Sequence, residues 1–132
     1  MSVDEIALTL PPHQAYHGVA HLVLGGLAVR LDLTFEILED LELALDALLE
    51  RKTEADGETT VRLRVGKNDV RTIVGPFRGA DLRGELDRES AGELGLRRIL
   101  ETVADDVQVT DQDGGQWVEL TKRFERKRVE EA

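Results

Sequence analysis

The sequence predicts an α/β fold, a two-layer sandwich in which a mixed, mostly antiparallel sheet carries helices on one face. Three observations predict it. Two pairs of alternating apolar runs are each joined by a tight turn, at Gly66-Lys67-Asn68-Asp69 and at Asp113-Gly114-Gly115, which is the pattern of β-hairpins. Three other stretches repeat their apolar residues at three and four, the period of a helix with one buried face. The length of 132 residues suits a single domain. We expect that domain over residues 1–124, with a charged tail at 125–132.

Glu5 to Leu10 alternates through Ile6, Leu8 and Leu10, and Pro11-Pro12 ends any hydrogen-bond ladder because proline has no N–H, so this is a first strand at a sheet edge. From His13 to about Arg30, Tyr16, Val19, Ala20, Val23, Leu24 and Leu27 mark one face of a helix. Thr34 can cap a second helix, with Glu36 in its first turn and Ile37, Leu38, Leu41, Ala44, Leu45 and Leu48 as its buried face. Asp56-Gly57 reads as a loop. Thr60–Val65 and Val70–Val74 form the first hairpin. Gly75 to Ser90 is rich in glycine and charge and has no sustained period, which predicts an irregular surface loop. Leu94, Leu96, Ile99, Leu100 and Val103 mark a third helix, and Val107–Thr110 with Gln116–Thr121 complete the second hairpin.

With 27 acidic and 17 basic residues the formal net charge is −10, which repels phosphate backbones and anionic lipid and favours a basic protein as partner. Nucleic acid and membrane are therefore not expected. The basic cluster Lys122, Arg123, Arg126, Lys127 and Arg128 alternates with Glu125, Glu130 and Glu131 and reads as a solvated tail. The absence of cysteine excludes disulfides and thiolate sites. The acidic N-terminus is unlike a signal peptide and no apolar run reaches the length of a membrane span, so a cytoplasmic location is expected. His13, His17 and His21 recur every fourth residue and would form a stripe on the first helix. Such a stripe suits an interface or a pH-sensitive edge as well as a metal, and no metal site is expected.

The segment Asp40-Leu41-Glu42-Leu43-Ala44-Leu45-Asp46, the pair Gly92-Glu93-Leu94-Gly95-Leu96 and Ala104-Asp105-Asp106-Val107, and the closing strand from Gly115 to Lys122 occur in a distinctive order. In that order they resemble the anti-sigma-factor serine kinase branch of the Bergerat-fold, histidine kinase-like ATPases, which share their sandwich with histidine kinases and gyrase. The resemblance implies an ATP and Mg²⁺ site, homodimerisation, and partners such as a sigma factor or an anti-anti-sigma protein.

The positions that would hold nucleotide depart from the family pattern. The family's Glu and Asn, four apart on the second helix, fall on Ala47 and Arg51. Alanine accepts no proton, and a guanidinium only donates, so it cannot ligate a cation. Moving the register by one places Asp46 and Glu50 there, a carboxylate pair able in principle to bind Mg²⁺. The family's first glycine box becomes Gly75-Pro76-Phe77-Arg78-Gly79, so Gly75 stands where an aspartate would accept from adenine. Phe77 would put a ring into the adenine space, as core filling or as a stacking platform. Gly92 and Gly95 of the second glycine box persist and could cradle an anion or simply permit a tight turn.

The resemblance together with these departures implies a regulatory, protein-binding relative of anti-sigma factors, for which no catalytic residue and no cofactor are expected and whose interface is expected at Val23 and Leu27. The alternatives are an active ATP-dependent serine kinase acting on an anti-anti-sigma protein, and a structural or dimerisation module.

Overall fold

The computed structural model describes residues 4–52, 56–79, 82–88 and 95–124. Strand β1 (Asp4–Leu10) leads through a 3₁₀ turn at Gln14–Tyr16 into helix α1 (His17–Leu31), followed by α2 (Phe35–Leu49), β2 (Thr59–Val65) and β3 (Asp69–Phe77). Helices α3 (Leu82–Arg88) and α4 (Leu96–Val103) precede the closing strands β4 (Asp106–Gln112) and β5 (Gly115–Arg123). The sheet order is β1-β2-β3-β5-β4, and every described pairing is antiparallel. β1 lies at an edge, as Pro11-Pro12 predicts.

Register follows from the period-two pattern. Leu8 pairs with Val61, Val61 with Val74 and Val74 with Val118, which stacks one apolar row across four strands. In β2 the alternate residues Val61, Leu63 and Val65 are buried while Arg62 and Arg64 are half-buried, so one face carries the core. Leu24, Leu41, Leu45, Leu48, Leu96 and Leu100 from the helices close over that face. Thr34 caps α2 by accepting from the Ile37 N–H at 3.2 Å, as its residue type predicts. Asp113 and Gly114 both have positive φ, 53° and 76°, the geometry that a two-residue hairpin turn requires.

Two expectations need correction. The irregular loop expected from Gly75 begins later, because β3 continues through Gly75, Pro76 and Phe77. Proline is tolerated in this central strand because the β3–β5 register shifts between Val74 and Phe77, and that irregularity removes the need for a ladder N–H. The same stretch also holds α3, whose first two N–H groups, of Leu82 and Arg83, donate to Gln116 Oε1 at 2.8 and 3.2 Å. A cap supplied from a distant strand leaves no local signature. The expected tail at 125–132 and the position of Leu94 lie outside the described residues.

Candidate functional site

The positions singled out on the second helix and on the first glycine box converge. α2 ends at Leu49 and β3 ends at Phe77, and Lys52, just past the helix, bridges them by donating to the Pro76 carbonyl at 2.5 Å. Ala47 is buried on the helix. Arg51 follows the cap residue Glu50, its N–H donating to the Leu48 carbonyl at 3.0 Å. Neither side chain offers a proton acceptor or a metal ligand.

Each glycine-box position has a packing role. A Cβ on Gly75 would lie 2.6 Å from Trp117 Cδ2, so glycine is required for the strand to pass under the indole. The Arg62 guanidinium covers that indole at 5.7 Å from its centroid. Phe77 is 1% exposed and belongs to the core, with the Lys52 ammonium 5.5 Å from its ring centroid. Burial holds the Lys52 amine below its ordinary pKa; the Arg78 charge acts in the same direction and Asp56 opposes both. Gly79 donates its N–H to Asp56 Oδ1 at 2.7 Å, and Arg78 donates to the same oxygen at 2.9 Å. An open cleft of about 400 Å³ borders Phe77, Arg78 and Gly79 on one side and Gly114, Gly115 and Gln116 on the other.

Lys52, Asp56, Gln116 and Trp117 were not singled out by sequence reasoning. Asp56 reads as an ordinary turn residue beside Gly57, and nothing local announces a carboxylate that is 1% exposed and clasps two backbone N–H groups. Trp117 had a usable signal, since it alternates out of phase with the buried Val118 and Leu120 and therefore occupies the opposite face of the sheet.

Gly95 is the N-cap of α4, with φ −102° and ψ 178°, a conformation open to any residue. Gly92 lies outside the described residues. The alternative carboxylate pair is drawn into separate surroundings. Asp46 accepts from His21 Nε2 at 2.6 Å, and Glu50 lines a cleft of about 180 Å³ with His13, His17 and Lys52.

The histidine stripe is not formed as expected. His13 precedes the 3₁₀ turn in extended conformation, and His21 is held between Glu42, at 3.0 Å, and Asp46. The Asp46 hydrogen bond is the largest cause and raises the His21 pKa; burial opposes it, and the Glu42 hydrogen bond with the charges of both carboxylates adds to the rise, so the pKa stands above its ordinary value. Among the described residues no group of three His, Cys, Asp or Glu could hold a metal ion. Leu27, expected at an interface, is 7% exposed and part of the core, and Val23 packs half-buried against that core. The large apolar residues that α1 exposes are Val19, Leu22 and Val29, so Val19, expected on the buried face, lies at its edge instead. No described helix is long and apolar enough to cross a membrane.

Fold and site together define a class, a single α/β sandwich that joins the end of a helix to the glycine-bearing end of a sheet strand. No family model matches the sequence. The serine-protein kinase RsbW of Listeria monocytogenes is 33% identical over 97% of this chain and 92% of its own length. The RsbW proteins of Bacillus velezensis and Bacillus subtilis are 29% and 27% identical, each over 98% of this chain and 91% of their own length. The chain belongs to the RsbW family of anti-sigma factors, within the histidine kinase-like ATPases.

Proposed function

We propose that this chain is a regulatory protein-binding domain of the anti-sigma type, with a degenerate nucleotide site, acting in a partner-switching circuit. Family membership supports the circuit, in which a sigma factor or an anti-anti-sigma protein is the partner and the chain itself pairs as a homodimer. The observation that carries the degenerate site is the burial of Phe77 beneath Lys52, in place of a glycine that would leave room for a base. Ala47 and Arg51 in place of a proton acceptor and a metal ligand agree with it.

A second reading, an active serine kinase acting on an anti-anti-sigma protein, is favoured by the relatives' own description as serine-protein kinases. Thermal unfolding with and without Mg-ATP separates the two. A ligand stabilises by RT ln(1 + [L]/Kd), so ATP at about 1 mM should add less than about 0.4 kcal/mol to a degenerate site. A stabilisation of several kcal/mol would favour the kinase.

A further inference from the structure

The outer face of the α1–α2 hairpin carries a pattern that the fold does not need. α2 holds Glu36, Glu39, Asp40, Glu42 and Asp46 and neither Lys nor Arg. At 100° per residue, Phe35, Glu39 and Leu43 fall within about 80° of one another, on the side away from the buried Leu41, Leu45 and Leu48. Phe35 is 71% and Leu43 50% exposed, and across the seam α1 presents Leu22 at 77% and Val29 at 84%.

The contacts of His21 with Glu42 and Asp46 set the level of the two helices. Because the hairpin is antiparallel, Leu22 stands near the level of Leu43, and Val29 near that of Phe35. Each apolar pair on one helix is separated by about two turns, roughly 10 to 12 Å. A Cβ on Gly25, between Leu22 and Val29, would meet nothing within 4 Å, so the seam is open there. Four large apolar side chains thus stand exposed beside acids on this face, the kind of surface that a binding partner can cover.

Charge decides what fits. A second copy docked by a two-fold axis would set these acids against the same acids. An anionic lipid surface is repelled in the same way. A helix with apolar residues at three and four and with Lys or Arg along its flanks matches both the spacing and the sign. We propose that this face binds a basic amphipathic helix of a partner protein, with Leu22, Val29, Phe35 and Leu43 as anchors and Glu36 and Glu39 opposite the cations. The proposal rests on the reading of the chain as a protein-binding regulator and gives that reading a surface, but it does not depend on whether nucleotide binds.

The probe is a synthetic helix of about twenty residues with leucines at three and four and lysines on the flanks, titrated into the full chain by fluorescence anisotropy and mapped by amide shifts in isotope-labelled protein. The expected result is saturable binding with the largest shifts on the outer face of α1 and α2. Phe35→Ser with Leu43→Ser should weaken it by at least about tenfold, and a peptide with glutamate for lysine should not bind. Because Phe35 and Leu43 are exposed, this variant should keep its circular dichroism. If it does not, Glu36→Gln with Glu39→Gln gives the second reading, with a loss of about threefold expected. No binding, equal binding by the variant that remains folded, shifts confined to another face, or a dimer of the chain that occupies this face would each overturn the proposal. Mg-ATP is titrated separately, so a nucleotide result and a peptide result can fail independently.

Discussion

Lys52 holds its ammonium 5.5 Å from the centroid of the buried Phe77 ring while donating to the Pro76 carbonyl at 2.5 Å, so one side chain closes the end of α2 over the end of β3. Removing the ring would leave a cavity under a partly buried cation. Phe77→Gly should therefore cost about 3–5 kcal/mol in urea unfolding and Phe77→Leu about 1.5 kcal/mol or less. A glycine variant as stable as the parent would show that the ring is not packed as described.

The close approach of Gly75 to Trp117 gives a steric prediction. Alanine at position 75 would bring a methyl to 2.6–2.9 Å from three indole carbons, and the backbone of a central strand yields little. Gly75→Ala should cost about 1–3 kcal/mol. In a double-mutant cycle, Trp117→Ala should recover part of that cost, because the clash and the ring disappear together. Strict additivity would count against the contact.

His21 predicts a direction of pH dependence. Its pKa is raised in the folded chain, so its contribution is fully present below the unfolded value of about 6.5 and is lost as pH rises through the folded value. Because the clamp is part-exposed, the loss should stay below about 1 kcal/mol. Chemical unfolding of parent and His21→Gln between pH 5 and pH 9, about the window in which histidine titrates, should show the parent's advantage shrinking with rising pH. An advantage that grows with pH would reverse the assignment.

Thr72 is buried on the helix-facing side of β3, and its hydroxyl has no hydrogen-bond partner among the described residues. Leu63 and Leu120 flank it in register. Thr72→Val keeps the shape and removes the stranded oxygen, so it should stabilise the chain by about 1 kcal/mol. A loss of stability would imply that the hydroxyl is satisfied.

Strong periodicity made α2 and both hairpins legible: Leu41, Ala44, Leu45 and Leu48 recur at three and four, and Val61, Leu63 and Val65 alternate. The buried face of α1 was harder to read because the helix is apolar nearly all round. Leu22 and Val29 are as apolar as Leu24 and Leu27, and which pair is buried depends on where α2 packs. Gly75-Pro76 reads as a strand breaker, and the irregularity that admits it is set by β5, forty residues later in the chain. Of the site, the departures at Ala47, Arg51, Gly75 and Phe77 were visible as residue types. The Lys52 bridge and the Asp56 clasp were not, because each joins segments more than twenty residues apart.

The central claim is that Phe77, Ala47 and Arg51 leave no working nucleotide site, and isothermal titration of the full chain with ATP and MgCl₂ tests it most directly. Losing a buried adenine acceptor and a metal ligand should each cost on the order of 1–3 kcal/mol, which places the dissociation constant above about 1 mM. A flat titration, or one with such weak binding, is the predicted result; saturable one-to-one binding with a micromolar constant would contradict the account.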